Sequence, residues 1–313
     1  MSPDSNLNRV LLVVGPTGVG KTGLSIDLAR KIDGEIISAD SRYLYRGMDI
    51  GTAKPSLDER KSVPHHLIDV ADPDETWSLA LFIERTHKLI DQIQSRNKVP
   101  IIVGGTGQYM RAITEGWRIP AFEPASNLRR VLTEWSEAIG RDELHKKLTL
   151  LDDEAARFID ASNVRRTIRA LEVILSTGVK FSSLRIKEGP AHNYWIIGLT
   201  MERRELYERV DARIESMFKR GFVEEVRRLL ELGYGPAFPS MSGIGYREVI
   251  RYLNDEIDLE TAKGLMRRGT RQFIRRQTNW FKPADPDIHW FSMDPYPLAT
   301  ILEDLNRNTK EHH

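Results

Sequence analysis

The sequence predicts an α/β fold built on a doubly wound parallel sheet, and two observations carry that prediction. Short apolar runs rich in β-branched residues alternate with segments whose apolar residues recur at helical spacing. A glycine or a polar turn follows each run, as it does at the ends of buried strands. The strand-like runs lie at residues 10–14, 35–39, 99–103 and 194–199, and the helical segments lie at 21–31 and 78–95.

The middle of the chain differs in character. Charged segments with helical spacing, at 128–139, 141–150, 153–160 and 163–177, replace the alternation of strands and helices. The run at 194–199 then predicts a return to the sheet, followed by a mainly helical C-terminal part. We therefore expect a core formed by residues 8–115 and 190–313, interrupted by a helical insertion domain over 116–189.

Composition argues against several classes of protein. Hydrophobic residues make up 40% and charged residues 29% of the chain, as in ordinary globular domains. No stretch approaches the roughly 18 apolar residues that span a bilayer, and the first ten residues lack the apolar segment of a secretory signal. The chain has no cysteine, which excludes disulfides, thiolate metal sites and cysteine nucleophiles. We expect a cytoplasmic protein without membrane association, and we leave residues 311–313, which could be a tag remnant, out of the fold.

A phosphate-binding loop is the most specific motif. It fits the pattern G-x-x-x-x-G-K-[ST], and it has the required context of a preceding apolar strand and a following helix. Backbone N–H groups and the helix N-terminus would hold phosphate oxygens, the lysine would bind the terminal phosphate, and the threonine hydroxyl would ligate Mg²⁺. The residues predicted to bind a diphosphate or triphosphate are Gly15, Pro16, Thr17, Gly18, Val19, Gly20, Lys21 and Thr22.

The loop leaves the phosphate ester open. An ATPase or GTPase of this kind has an acidic residue after a second apolar strand, but the run at 99–103 ends in Gly104 and Gly105. This weakens a nucleotide hydrolase and favours a small kinase or a transferase that releases diphosphate. Asp40, after the second strand, is a candidate general base, and a plain turn or N-cap aspartate is the alternative.

Residues 263–282 form a strongly basic stretch without any aspartate or glutamate. A helix of this kind is typical of a surface that binds a polyanion. The side chains of Gln272, Phe273, Gln277, Asn279 and Trp280 lie among the charges and are candidates for contacts to bases. A second basic cluster lies at 165–169, where a solvated helix face is the simpler interpretation.

Four segments together carry a resemblance to a known family. They are residues 37–55, 64–69, 104–109 and 243–247, and with the phosphate loop they follow the family's order from residue 15 to about 281. In these motifs the sequence resembles the tRNA dimethylallyltransferase (tRNA isopentenyltransferase) family. Residues 116–189 match it least well.

The resemblance implies a reaction. A dimethylallyl group passes from dimethylallyl diphosphate to N6 of adenosine 37 in tRNAs that read codons starting with U, and diphosphate leaves. By analogy with the family, Asp40 binds N6 and takes its proton, while Lys21, Thr22 and Mg²⁺ stabilise the diphosphate. Arg213 matches a family arginine that reaches the diphosphate, and Thr106 a position beside the adenosine. Without the family, these two would be a helix-surface arginine and a turn threonine.

The resemblance also implies a tRNA surface and a monomeric enzyme. Because an adenine stacked in the anticodon loop is not accessible to in-line attack, we expect the base to be flipped into a channel between core and insertion. The partners are the anticodon stem-loop and dimethylallyl diphosphate. The predicted tRNA-binding residues are Asp40, Ser41, Arg42, Tyr43, Thr106, Arg129, Arg165, Arg166, Thr167, Ile168, Arg169, Ser242, Gly243, Ile244, Gly245, Tyr246, Arg247, Arg271, Arg275 and Arg276.

Three alternatives stay open at the level of sequence. A P-loop small-molecule kinase shares the loop and the strand-end aspartate but does not explain the basic stretch. An isopentenyltransferase acting on free adenine nucleotides shares the catalytic residues but has less use for RNA-binding arginines. An RNA-binding module with a vestigial phosphate loop conflicts with the intact Lys21 and Thr22.

Overall fold

The computed structural model describes residues 9–119, 126–184 and 186–310. The first eight residues and residues 311–313 lie outside these ranges. The chain divides into two compact units, one formed by Met1–Ser78, Phe82–Thr114 and Pro190–His313, the other by Leu79–Leu81 and Glu115–Gly189. Among the described residues, no helix is long and apolar enough to cross a bilayer.

The first unit contains a six-stranded parallel sheet, which confirms the predicted fold class. Its strands, in spatial order, are β3 (His65–His66), β2 (Gly34–Ser38), β4 (Val99–Val103), β1 (Arg9–Val14), β7 (Asn193–Thr200) and β8 (Ile288–Ser292).

The central strand β1 fixes the register of the sheet. Leu11 pairs with Ile101 of β4 on one side and with Trp195 of β7 on the other. Every residue of β1 is buried because both neighbouring strands and the covering helices exclude water. Carboxyl ends of parallel strands meet at one edge, so the segments that follow β1, β2 and β4 come together there.

Helices surround this sheet and supply much of the core. Helix α1 packs against β1, β2 and β4, and its apolar residues recur at the spacing that the sequence predicts. The helices of this unit are α1 (Lys21–Ile32), α2 (Leu57–Ser62), α3 (Leu79–Gln94, whose first three residues belong to the second unit), α4 (Gly107–Thr114), α9 (Arg203–Lys219), α10 (Phe222–Glu231), α11 (Tyr246–Leu253), α12 (Leu259–Gln277) and α13 (Leu298–Lys310).

The second unit is mainly helical and has its own core. It contains α5 (Ser126–Ile139), α6 (Arg141–Leu151), α7 (Asp153–Phe158) and α8 (Val164–Thr177). Leu132, Leu144 and Leu148 are buried together with Leu171, on helices that the sequence places within a few residues of their true ends. A two-stranded antiparallel ribbon of β5 (Trp117–Arg118) and β6 (Ile186–Lys187) joins the two ends of this segment.

Strand β8 departs from the prediction of a mainly helical C-terminal part. It pairs in parallel with β7 at the edge of the sheet, from Ile288 to Ser292. Only Ile288 is buried, and the other four residues are partly or fully exposed. Because β8 is an edge strand that is only partly buried, it lacks a continuous apolar run, and its sequence therefore gives little indication of a strand.

Candidate active site

The loop after β1 has the backbone that a phosphate cradle requires. Gly15 lies so close to β7 that a Cβ there would be 2.7 Å from the Leu199 carbonyl oxygen. Gly20 has φ +108° and precedes the first turn of α1, without any side chain that could cap its N–H groups. The free amides at this helix N-terminus therefore point to an anion as their partner.

Lys21 lies over the same loop. Its Nζ donates to the carbonyl oxygens of Gly15 and Pro16, at 3.0 and 2.9 Å. Burial lowers the pKa of the Lys21 ammonium to about 8; the Asp40 carboxylate opposes that shift and the Arg213 guanidinium adds to it. Asp40 and Arg213 therefore both lie close enough to act electrostatically on the Lys21 ammonium. A bound phosphate would raise the pKa of Lys21 again and so favour its charged form.

Asp40 follows β2 and lies near this lysine. Its Oδ1 accepts a hydrogen bond from the Arg42 amide at 2.9 Å, which fixes the carboxylate in a tight turn. The Ser41 amide donates to the Thr106 Oγ1 at 3.4 Å and so connects this turn to the one that follows β4. Asp40 is therefore a turn aspartate whose carboxylate also lies within electrostatic reach of Lys21, and its role as a general base stays a prediction.

Tyr43 and Arg213 complete the cluster. The Tyr43 hydroxyl donates to the Ala53 carbonyl oxygen at 2.9 Å. Burial and then the Asp40 carboxylate raise the pKa of this phenol above its ordinary value, while Arg213 and a hydrogen bond with Thr22 oppose the rise. Arg213, from α9, donates to the Thr52 carbonyl oxygen at 3.1 Å. Two separate stretches of sequence, one from Asp40 to Tyr43 and one at Arg213, thus lie beside the phosphate loop.

The segment 242–247, predicted to bind tRNA, is largely a structural element. The Tyr246 side chain is 1% exposed and its hydroxyl donates to the Glu225 Oε1 at 2.7 Å. The same Glu225 carboxylate accepts the amides of Asp49, Ile50 and Gly51 at 2.9, 2.6 and 3.0 Å. Tyr246 therefore holds the loop after Tyr43 in place.

Other members of this segment are divided between surface and interior. Ser242 and Arg247 are exposed, Ile244 is half-buried, and Gly243 and Gly245 are buried. Arg247 pairs with Glu248 at 2.6 Å. Arg42 donates from Nη1 to the carbonyl oxygens of Pro239 and Ser240 at 2.8 and 2.9 Å, so it ties the Asp40 turn to the 3-10 helix Pro239–Ser242.

The basic stretch forms most of α12, and part of its charge is neutralised within the protein. Arg267 pairs with Glu215 of α9, and Arg271 pairs with Asp211 of the same helix. Lys263 lies 3.3 Å from Glu215. The sequence shows no acid inside the stretch, but α9 supplies two acids from the side. The cations of α12 that remain exposed, without a carboxylate partner among the described residues, are Arg268, Arg275 and Arg276.

Gln277 has a role that the sequence did not indicate. It is 3% exposed, which excludes the predicted contact with a base. Its Oε1 accepts the Thr17 amide of the phosphate loop at 2.9 Å, and its Nε2 donates to the Gly105 carbonyl oxygen at 2.9 Å. The end of α12 is thereby fastened to two loops of the site.

The second basic cluster, in α8, also has two parts. Arg165 and Arg166 are exposed, and the Arg166 guanidinium lies 5.6 Å from the Phe158 ring centroid. Thr167 and Ile168 are 1% and 7% exposed, and Ile168 belongs to the core of this unit. Arg169 and Arg129 both pair with the fully buried Glu172, at 2.9 and 2.7 Å.

A small cleft adjoins the phosphate loop. It has a volume of only about 20 Å³ and is lined mainly by apolar surface from Ile36, Ile68 and Val103, with Thr22 and Tyr43 at the loop. A larger cleft of about 250 Å³ is lined by residues of β8 and α13 and contains none of the phosphate-loop residues. The smaller cleft is the one relevant to the phosphate loop, because its apolar side chains lie next to the groups that would bind phosphate.

The residues present suit a magnesium ion bound chiefly through phosphate. Among the described residues, no cluster of three histidine, cysteine or acidic side chains could hold a metal by itself. The Thr22 hydroxyl, at the start of α1, is the kind of single protein ligand that Mg²⁺ uses when phosphate oxygens and water complete its shell.

These features define a P-loop α/β protein in which a carboxylate lies beside the phosphate loop. The chain belongs to the IPP transferase family, whose model matches residues 43–284. The tRNA dimethylallyltransferase of Roseiflexus castenholzii is 48% identical over 300 residues, which cover 96% of this chain and 98% of the relative. That of Thermomicrobium roseum is 44% identical over 303 residues, 96% of this chain and 92% of the relative.

Solved structures give the same result. The tRNA isopentenylpyrophosphate transferase of Bacillus halodurans matches with a TM-score of 0.72 and 36% identity, over 98% of this chain and 100% of that one. A eukaryotic dimethylallyltransferase acting on tRNA matches with a TM-score of 0.80 and 27% identity, over 95% of this chain and 78% of that one. The predicted family is therefore confirmed.

Proposed function

We propose that this protein transfers a dimethylallyl group from dimethylallyl diphosphate to N6 of adenosine 37 in tRNAs that read codons starting with U. The observation that carries the proposal is the convergence of Lys21, Arg213 and Asp40 beside an uncapped phosphate loop. Membership of the IPP transferase family supports the same reaction. Two cations suit a leaving diphosphate, and the carboxylate suits an attacking amine.

The donor diphosphate binds at the phosphate loop. The amides at the start of α1, the Lys21 ammonium and the Arg213 guanidinium hold its oxygens, and Thr22 would hold a magnesium ion that neutralises part of the charge. These groups interact most strongly as the bond to the leaving oxygen breaks, because negative charge then accumulates on the diphosphate.

The acceptor amine approaches on the side of Asp40. The N6 nitrogen forms a bond to C1 of the allylic chain while the C1–O bond to diphosphate breaks. Asp40 accepts the proton that N6 loses, so that the product is neutral N6-prenyladenosine. Thr106, whose hydroxyl accepts a hydrogen bond from the Ser41 amide, would orient the adenosine against this carboxylate.

The tRNA backbone is recognised by exposed arginines. Arg268, Arg275 and Arg276 of α12 are the cations of that helix without carboxylate partners among the described residues, and Arg165 is exposed on α8. Arginine at such positions suits phosphate because its planar group donates in pairs and keeps its charge.

A transfer assay tests the proposal. The protein is incubated with labelled dimethylallyl diphosphate, Mg²⁺ and unmodified tRNA, with AMP as a parallel acceptor and ATP absent. We expect label in tRNA alone, and in a variant tRNA with guanosine at position 37 no label. Label in AMP alone would identify an enzyme of free nucleotides, and the absence of label in either, together with ATP consumption in a separate assay, would favour a kinase.

A further inference from the structure

Gln277 joins three parts of the site through one buried amide group. Its side chain is 3% exposed, and both ends of the amide are used. The oxygen accepts from Thr17, 260 residues away in sequence, and the nitrogen donates to Gly105, 172 residues away. Each bond is 2.9 Å long, within the range of strong N–H···O bonds. Because a buried amide left without partners is costly, this arrangement resists small displacements of any of the three parts.

The turn after β4 is shaped around the end of α12. A Cβ on Gly105 would lie 2.3 Å from the Gln277 Nε2, and a Cβ on Gly107 would lie 2.1 Å from the Trp280 ring. Arg111, in the helix that follows the turn, donates from Nη2 to the Trp280 carbonyl oxygen at 3.0 Å. This turn also carries Thr106, so the end of α12 sets the position of the residue that meets the adenosine.

The same end of α12 presents charge to the outside. Arg275 and Arg276 directly precede Gln277, and both are exposed. A polyanion bound at these arginines restrains the last turn of the helix. Through the amide of Gln277 that restraint reaches the Thr17 amide in the loop that holds the diphosphate.

We propose that Gln277 is a positioning residue through which RNA bound at α12 and diphosphate bound at the phosphate loop strengthen each other's binding. The inference rests on the proposed function, since it takes RNA as the ligand of α12 and diphosphate as the ligand of the loop. The physical basis is a contiguous link between the two sites, which consists of the α12 backbone from Arg275 to Gln277 and the hydrogen bond that Gln277 accepts from the Thr17 amide. Coupling of this kind is reciprocal, so that each ligand changes the affinity of the other by the same factor.

The test is a binding cycle with unreactive ligands. Inorganic diphosphate with Mg²⁺ is titrated into the full-length protein by calorimetry, with and without a saturating anticodon stem-loop RNA, and the RNA is titrated in the same way. For the wild-type protein we expect each ligand to tighten the other by at least about fivefold, the lower end of typical couplings. Gln277→Met keeps the length of the side chain and removes both hydrogen bonds, so we expect the factor to fall to between about one and two.

A second variant and a control distinguish coupling from loss of structure. Gln277→Glu keeps an acceptor for the Thr17 amide but cannot donate to Gly105 when ionised, so we expect an intermediate factor. Gln92→Met makes the same chemical change at an exposed glutamine of α3 and should leave the coupling at the wild-type value. Affinity for RNA alone should stay within about twofold in all three, because none changes an exposed arginine.

Each outcome decides between the two proposals. If the wild-type protein binds both ligands without coupling, or if Gln277→Met and Gln277→Glu keep the full factor, the inference is wrong and the proposed function stands. If the wild-type protein binds neither RNA nor diphosphate, the proposed function fails and the inference fails with it. Loss of coupling in Gln277→Met with RNA affinity retained supports the positioning role.

Discussion

Helices α8 and α12 are both rich in arginine, but the two use that charge in different ways. In α12 the paired cations face α9, and Arg268, Arg275 and Arg276 point outwards without carboxylate partners among the described residues. In α8 the last arginine of the cluster, together with Arg129 of α5, neutralises the buried carboxylate of Glu172.

The difference shows that a basic stretch of sequence contains two populations of cations. Some compensate acidic groups of the same protein, and removing them leaves an acid without its partner. Others are solvated and available to a polyanion, and removing them changes binding with little effect on folding. Only the second population belongs to an RNA surface, and the four predictions below separate it from the first and from the catalytic groups.

The largest effect is expected at Asp40, outside both helices. Asp40→Asn keeps an acceptor for the Arg42 amide and removes the general base, so turnover should fall by roughly 10²-fold or more. Single-turnover rates with saturating tRNA and donor measure this, and tRNA affinity should stay at the wild-type value. If Arg275→Ala lowered turnover as much as Asp40→Asn, the assignment of chemistry to Asp40 and of RNA binding to Arg275 would be wrong.

The next effect concerns the paired arginines of the second unit. Replacing Arg129 and Arg169 by alanine leaves the carboxylate of Glu172 buried and without its cations, which should cost about 3 kcal/mol of unfolding free energy. Urea denaturation measures the loss. The matched control is Arg130→Ala with Arg165→Ala, two exposed arginines whose removal should have a much smaller effect. Equal stability of the two double variants would place Arg129 and Arg169 among the RNA-facing cations.

The pH dependence of activity distinguishes the role of the buried Lys21 ammonium from that of the exposed arginines. Burial lowers the pKa of Lys21 to about 8, so its ammonium is present below that pH and is lost as the pH rises through it. The kcat/KM for the donor should then fall up to tenfold per pH unit above 8, because this parameter follows the free enzyme. Binding of tRNA should persist, because arginines stay charged.

The control for this titration is Lys21→Arg, in which the fall should disappear from the accessible pH range. A kcat/KM that stays flat to pH 9.5 in the wild-type protein would show that the charge of Lys21 is not needed for the donor. A parallel fall in RNA affinity would show that pH acts on the RNA surface instead.

The local features of the fold were predictable from the sequence. Strand β1, the phosphate loop and α1 follow from a continuous apolar run, a glycine-rich motif and helical spacing within about 25 residues of chain, and the observed ends differ from the predicted ones by one residue. The helices of the second unit were predicted to within two residues at each end, because their apolar residues recur at helical spacing. Strand β8 was not, since it depends on long-range pairing with β7 at an exposed edge.

The features of the site likewise divide into local ones, which the sequence predicts, and long-range ones, which it does not. Its phosphate loop is a local motif, and the role of Asp40 came from a family resemblance that the comparisons confirm at the level of the family. The role of Gln277 depends on a contact across 260 residues, and the acids that neutralise Arg267 and Arg271 lie 52 and 60 residues away on α9. Tyr246 likewise appears in a motif, but only its burial against Glu225 shows that it supports the loop.

The most direct test of the division between paired and presented arginines is the salt dependence of binding to an anticodon stem-loop RNA. Two double variants of α12 are compared, Arg275→Ala with Arg276→Ala and Arg267→Ala with Arg271→Ala. If Arg275 and Arg276 each contact one phosphate, replacing both should reduce the slope of log K against log salt concentration by about 1.4 to 1.8. The second pair should stay close to the wild-type slope. A shallower slope in the second pair with no change in the first would contradict the account, because the arginines paired with α9 would then be the ones that meet RNA.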